Sequence, residues 1–167
     1  MKTAEPNMPA ISDSIRDRIR AYIPRYPSKQ AVTLPALHLV HDEYRTVSNE
    51  AIVEIAEMLD LHPSEVHDTM TFYEFFKYDG TKLGQTRLWV CRGLACMLKK
   101  GYELLEHCEH TLGVKQGETT PDGKITLEFA ECIGACDGAP ACLVNDVHAM
   151  NMTPEKADQL ITELKLK

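Results

Sequence analysis

Two pairs of cysteines carry the chemistry this 167-residue sequence offers. Cys91 and Cys96 are separated by four residues, Cys132 and Cys136 by three, and 35 residues lie between the pairs. Four thiolates gathered from two short loops make one metal centre, and by ligand type it suits zinc or an iron–sulfur cluster. Each loop carries a glycine, Gly93 in Arg92-Gly93-Leu94-Ala95 and Gly134 in Ile133-Gly134-Ala135. Glycine lets backbone approach an inorganic core and point N–H groups at its sulfurs. Structural zinc sites most often leave two residues between paired cysteines, a sharp knuckle around one ion. Gaps of four and three are wider and read as iron–sulfur, [2Fe–2S] in particular. A four-cysteine zinc site is the competing reading.

Two cysteines remain. Cys108 is spaced with Leu104, Leu105 and Leu112 on one helical face, where a free thiol packs as a small apolar group. Cys142 follows Pro140 at the start of a strand and is also read as structural, the alternative being a spare thiol near the centre. His38 with His41, and His107 with His110, stand three apart on predicted helices. A Rieske centre needs each histidine beside a cysteine in a compact pair. Neither histidine pair is so placed, and the cysteine set is complete without them. Asp137 adds negative charge beside Cys136 or caps the turn.

The remaining motif evidence is negative. No Gly-x-Gly-x-x-Gly follows a strand, no phosphate-binding loop is present, and no nucleophile–base pairing shows a catalytic motif. Cys91-x4-Cys96 is too widely spaced for the Cys-x-x-Cys of a thiol oxidoreductase. A cluster carries single electrons and cannot take up a hydride, so a chain of this kind works with a redox partner. The residues therefore describe an electron-transfer subunit.

The elements that must position the cysteines can be read from periodicity and breakers. Residues 1–10 hold Pro6 and Pro9 among small polar residues and are expected to be disordered. Ile11, Ile15, Ile19 and Tyr22 predict a first helix, ended by Pro24 and Pro27. Leu34, Leu37, Val40 or His41, and Tyr44 predict a second from about Thr33. Ser48 caps a third carrying Ile52, Ile55, Ala56 and Leu59, and Pro63-Ser64-Glu65 opens a fourth through Met70. Residues 11–79 thus form a helical bundle, closed by Phe72, Tyr73, Phe75 and Phe76, most of them assigned to its core. Asp79 to Gly84 is a turn and the domain boundary.

Residues 85–167 have a different rhythm. Thr86 to Cys91 alternates as a strand. Leu94, Met97, Gly101, Leu104, Leu105, Cys108 and Leu112 form one helical face. Ile125, Leu127 and Phe129 make a second strand, Ala141 to Val144 a third, and Val147 to Met150 a fourth across an Asn145-Asp146 turn. Thr153-Pro154-Glu155 starts a last helix with Ala157, Leu160, Ile161 and Leu164 inward. Both cysteine pairs fall where the chain leaves a strand. The whole is α+β.

Composition sets outer limits. Hydrophobic residues make up 44% and charged residues 26%, ordinary for a globular protein. No apolar run reaches membrane-spanning length, and Glu5, Asp13 and Asp17 do not suit a transit peptide. Paired cysteines in a reducing compartment point to metal before disulfides. A net charge of −7 excludes a basic nucleic-acid or anionic-membrane footprint.

Several runs also resemble one family: Val90-Cys91-Arg92-Gly93-Leu94-Ala95-Cys96-Met97-Leu98, Gly117-Glu118-Thr119-Thr120-Pro121-Asp122-Gly123, Glu131-Cys132-Ile133-Gly134-Ala135-Cys136, Ala139-Pro140 and Met152-Thr153-Pro154-Glu155-Lys156. Together they resemble the family of E subunits of NADH–quinone oxidoreductase (respiratory complex I), over nearly all of residues 11–167. The resemblance implies an N-terminal helical bundle followed by a thioredoxin-like [2Fe–2S] ferredoxin domain. It implies one [2Fe–2S] cluster on Cys91, Cys96, Cys132 and Cys136, with FMN and NADH on a partner subunit only. It also implies a cytoplasmic protein, held at the inner face of a membrane within a complex. The activity is that of the complex, with no complete active site in this chain. The equivalent subunit of a soluble NAD-linked hydrogenase or formate dehydrogenase is the alternative within the family; a zinc-stapled interaction module is the alternative outside it. Cys142, and the weakly aromatic run Val147-His148-Ala149-Met150, depart from the family pattern at positions expected to lie away from the ligand set.

Overall fold

The computed structural model describes residues 10–78 and 81–166. Of the disorder expected of residues 1–10, residues 1–9 lie outside the described residues, as does the Asp79-Gly80 part of the boundary turn, whereas Ala10 is ordered, its N–H donating to Glu54 at 2.6 Å. The chain divides into two compact units, residues 1–82 and 83–167.

In the first unit, capping and proline punctuate four helices: α1 (Asp13–Tyr22), α2 (Thr33–Tyr44), α3 (Asn49–Leu59) and α4 (Pro63–Phe72). Ser12 and Ser48 accept backbone N–H bonds at the starts of α1 and α3, satisfying donors that a helix end leaves open. At α4, the His62 ring accepts from the Ser64 N–H and the Glu65 carboxylate accepts from the His62 N–H at 2.9 Å, with Pro63 at the first helical position. The apolar stripes of these helices close on one core that includes Ile15, Ile19, Leu37, Ile55, Leu59, Val66 and Met70. Arg16 on α1 binds Glu54 on α3 at 2.5 Å. The aromatic run is split more than expected. Phe76 is buried, whereas Phe72 is 80% exposed and Tyr73 is exposed too, because α4 stops at Phe72 and the chain departs in an extended conformation.

The second unit is a four-stranded sheet in the order β2-β1-β3-β4, formed by β1 (Thr86–Cys91), β2 (Ile125–Ala130), β3 (Cys142–Val144) and β4 (Val147–Ala149). β1 and β2 are parallel, and the other neighbours are antiparallel. Parallel neighbours require a crossover; α5 (Leu94–Leu98) and α6 (Gly101–Leu112) supply it. α7 (Pro154–Leu166) follows the β3–β4 hairpin. Leu88, Val90, Ile125 and Leu127 of the strands pack in one core with Leu104, Cys108 and Leu112 of α6 and Ala157, Ile161 and Leu164 of α7.

The single helical face expected across Leu94–Leu112 is broken. Lys100 adopts a left-handed conformation between α5 and α6, and Leu94 is 69% exposed. Backbone approaches closely at this break. A Cβ on Gly101 would lie 2.9 Å from the Cys96 carbonyl oxygen and 3.0 Å from that of Cys91. α6 therefore starts against the first cysteine loop and turns away to cover the sheet, while α5 stays with the loop.

Candidate metal centre

The parallel pairing of β1 and β2 brings the two cysteine loops together. Cys91 is the last residue of β1 and pairs in register with Ala130, the last residue of β2, so both loops leave the same end of adjacent strands. The Arg92 N–H then donates to the Ala130 carbonyl at 2.8 Å, and the Cys91 N–H donates to the Ala141 carbonyl at 3.1 Å. The loops lie nearly in contact at Gly93, where a Cβ would fall 2.9 Å from Cys132 Cβ. Arg92, just after Cys91, forms an ion pair with Glu131, just before Cys132, stapling one loop to the other.

All four predicted cysteines meet here. Cys132 Sγ and Cys136 Sγ are 3.5 Å apart. Cys91 interacts with Cys96 from one side and with Cys132 from the other. Cys91, Cys96, Ala135 and Ala141 form a small buried apolar cluster of their own. The ring is asymmetric: Cys91 and Cys96 are each 2% exposed, and Cys132 and Cys136 face outward.

The sulfurs sit among backbone donors. The Gly93 N–H donates to Cys91 Sγ at 3.4 Å. Burial pushes the Cys96 thiol up to about 11, its hydrogen bond with Cys91 adding to this while the Ala141 N–H opposes it. The Gly134 N–H, followed by Cys136, holds Cys132 below the ordinary thiol value. Cys136 is raised by its bond with Cys132 and by that neighbour's charge. Thiols that hinder one another's ionisation in this way are relieved by a cation that takes them all as thiolates.

The donor set suits an iron–sulfur core. Two thiolates on one tetrahedral metal stand about 3.8 Å apart for metal–sulfur bonds near 2.3 Å, which the Cys132–Cys136 separation of 3.5 Å approaches.

The other titratable candidates lie elsewhere. Cys108 and Cys142 are in the sheet–helix core, and burial pushes the Cys108 thiol up to about 12 and Cys142 higher still. His38 and His41 pack against Phe75 and Phe76, and His107 binds Asp158 at 2.7 Å. His148, expected away from the ligand loops, reaches the carbonyl of Ile133 inside the second loop at 2.9 Å. Met150 packs so closely on Gly138 that a Cβ there would lie 2.5 Å from the methionine Cβ. These contacts, and the Arg92–Glu131 staple, depend on strand register, which spacing along the chain does not reveal.

A cysteine quartet where the chain leaves two parallel strands, on a sheet covered by helices, defines an iron–sulfur protein of thioredoxin-like build. Comparison with known proteins agrees. The model of the thioredoxin-like [2Fe–2S] ferredoxin family matches residues 19–165, and the chain belongs to that family. It is 34% identical over 152 residues to the E 2 subunit of NADH-quinone oxidoreductase from Rhizobium meliloti, covering 91% of this chain and 89% of the relative. It is 33% identical over 134 residues to the E subunit of NADH-quinone oxidoreductase from Aquifex aeolicus, covering 80% and 82%. An NAD+-reducing [NiFe]-hydrogenase in the H2-reduced state shares the fold, with a TM-score of 0.71 at 23% identity over 81% of this chain and 22% of the hydrogenase chain. Among the described residues no helix is long and apolar enough to cross a membrane.

Proposed function

We propose that this chain is the iron–sulfur electron-transfer subunit of an NADH dehydrogenase complex, exchanging single electrons with the flavin of a partner NADH-binding subunit. The observation that carries the reading is the convergence of Cys91, Cys96, Cys132 and Cys136 at the ends of two parallel strands. These four would hold one [2Fe–2S] cluster. When bound, the cluster supplies one-electron storage and no hydride chemistry.

The chain's own residues do three things. Cys91 and Cys96, buried against Ala135 and Ala141, keep water from one side of the centre. The Gly93 N–H stabilises negative charge on the Cys91 sulfur, which favours the reduced state. Cys132 and Cys136 stay exposed, leaving the side by which an electron reaches a partner at short range. NADH yields two electrons as hydride, so FMN and the nucleotide belong to the partner. On this reading the chain sits at the surface of a membrane-bound assembly, without crossing the bilayer.

Anaerobic purification tests this. The expected product is red-brown and gives an EPR signal after dithionite reduction, and NADH alone does not bleach the flavin-free chain. A colourless, EPR-silent protein with one zinc per chain would refute the cluster. Stoichiometric bleaching by NADH would refute the division of labour.

A further inference from the structure

We propose that Cys132 and Cys136 form a reversible disulfide in the chain before it is loaded, and that this bond gates entry of the cluster. The inference rests on the reading of both residues as ligands. Their sulfurs already face each other at 3.5 Å, and a disulfide holds two sulfurs at about 2.05 Å, so closure needs roughly 1.5 Å of approach. The fold leaves room for that movement. The segment from Cys132 to Ala135 belongs to neither helix nor strand, so the sulfurs can meet without breaking the sheet. Midway, Gly134 has φ of +82°, which glycine adopts without strain.

Exposure selects this pair. Of the six cysteines only Cys132 and Cys136 are exposed. Cys91 and Cys96 are packed with Ala135 and Ala141, and Cys108 and Cys142 lie in the sheet–helix core. Thiol–disulfide exchange needs access to the attacking sulfur, so a dissolved disulfide meets Cys132 and Cys136 first. The oxidant is a low-molecular-weight disulfide. The thiolate of one cysteine attacks it, forming a mixed disulfide and releasing one small thiol. The other cysteine then attacks the protein-side sulfur, forming the Cys132–Cys136 bond and releasing the second small thiol. Two protein thiols are oxidised, one small disulfide is reduced, and the two protons leave with the released thiols. A metal takes cysteine only as thiolate, so the oxidised chain keeps two of its four sulfur donors and cannot hold the core. Exposed disulfides are the labile ones, and in a reducing compartment such a bond is transient.

The test uses the full chain, freed of iron by chelation under a reductant and then equilibrated anaerobically with hydroxyethyl disulfide. Its intact mass is measured. Free thiols are then capped with N-ethylmaleimide in denaturant, disulfides are reduced and labelled with iodoacetamide, and peptides are mapped by mass spectrometry. We expect an intact mass lower by two hydrogens, with the second label on Cys132 and Cys136 alone. The oxidised chain should take up no iron from ferrous iron and sulfide, and dithiothreitol should restore uptake and the EPR signal. Cys136→Ser should stop at a mixed disulfide on Cys132, whereas Cys91→Ser should still close the bond. Persistent mixed disulfides on the wild-type chain, a bond to Cys91 or Cys96, or iron uptake by the oxidised chain equal to that of the reduced one would overturn the proposal. A reduced wild type that forms the disulfide on oxidation but never gives a [2Fe–2S] signal would instead refute the ligand reading, and the gate with it.

Discussion

The four thiols of the centre are unequal neighbours, and single substitutions separate them from the two that only pack. Serine at Cys91, Cys96, Cys132 or Cys136 is expected to abolish the visible absorption of the loaded protein, since each sulfur belongs to the converging ring. Cys108→Ser and Cys142→Ser should keep it. Cys142 is fully buried in the sheet, so its serine variant exchanges a thiol for a hydroxyl among apolar side chains and should lose about 1–3 kcal/mol in denaturant titration. Cluster loss in that variant, or its survival in Cys132→Ser, would show that the ligands are assigned wrongly. Gly93 is as demanding as a ligand. An alanine methyl would stand 2.9 Å from Cys132 Cβ, a separation that forces the two loops apart. Gly93→Ala should therefore lose most of its iron while its far-UV spectrum stays native, and full iron occupancy would show that the loops give way easily.

At the scale of elements, the parallel β1–β2 pair does most of the positioning, and its outer face holds a buried ion pair. Glu128 accepts from Arg87 and, at 2.5 Å, from Trp89 Nε1, while the Arg87 guanidinium stacks 4.4 Å from the Trp89 ring centre. Arg87 and Glu128 side chains are only 7% and 12% exposed. Glu128→Ala removes the acceptor both donors use and should cost about 3 kcal/mol or more; a loss below half of that in urea titration would mean that the surroundings already compensate the charge. The α6–α7 contact responds to pH instead. The His107 hydrogen bond, followed by that of Thr111, holds the Asp158 carboxyl below the ordinary carboxylate range. A lowered folded value contributes stability above the unfolded pKa of about 3.9, and that contribution disappears as pH falls through the folded value. Asp158→Asn should melt slightly below wild type at neutral pH, with the gap closing in acid; a gap that persists there would assign the effect to packing. Much of this architecture was legible. Ser48, Pro63 and the Asn145-Asp146 turn mark real boundaries, and the cysteine gaps with their glycines marked the site. The break at Lys100 was not legible, because the apolar spacing continues through it and the close approach of Gly101 to the Cys91 and Cys96 carbonyls is set by the fold. His148 and the Arg92–Glu131 staple escaped for a related reason: their partners are set by strand register, and charges or imidazoles along a chain carry no record of it.

For the whole molecule, the division at residues 82 and 83 leaves every proposed ligand in the second unit. The second unit contains all six cysteines and its own sheet–helix core, while the first has a core of helix stripes and none of the proposed ligands. A chain beginning at Leu83 is therefore expected to take up iron and show the EPR signal of the full protein after dithionite reduction. Such a fragment of 85 residues lies in the size range where a single core gives a narrow margin of stability. Metal binding adds to folding free energy when the ligands are gathered only in the folded state, and here they come from loops 35 residues apart. The loaded fragment should consequently melt well above its iron-free form, and chelation at elevated temperature should unfold it together with the loss of colour. The first unit, with its exposed Phe72 and Tyr73, is expected to serve docking, so the fragment should co-purify poorly with the NADH-binding subunit while the full chain co-purifies well. A fragment that folds but cannot hold iron would show that the helical unit completes the cluster domain. One that holds iron and assembles as fully as the intact chain would remove docking from the first unit and leave the electron-exchange surface entirely to the cluster-bearing half.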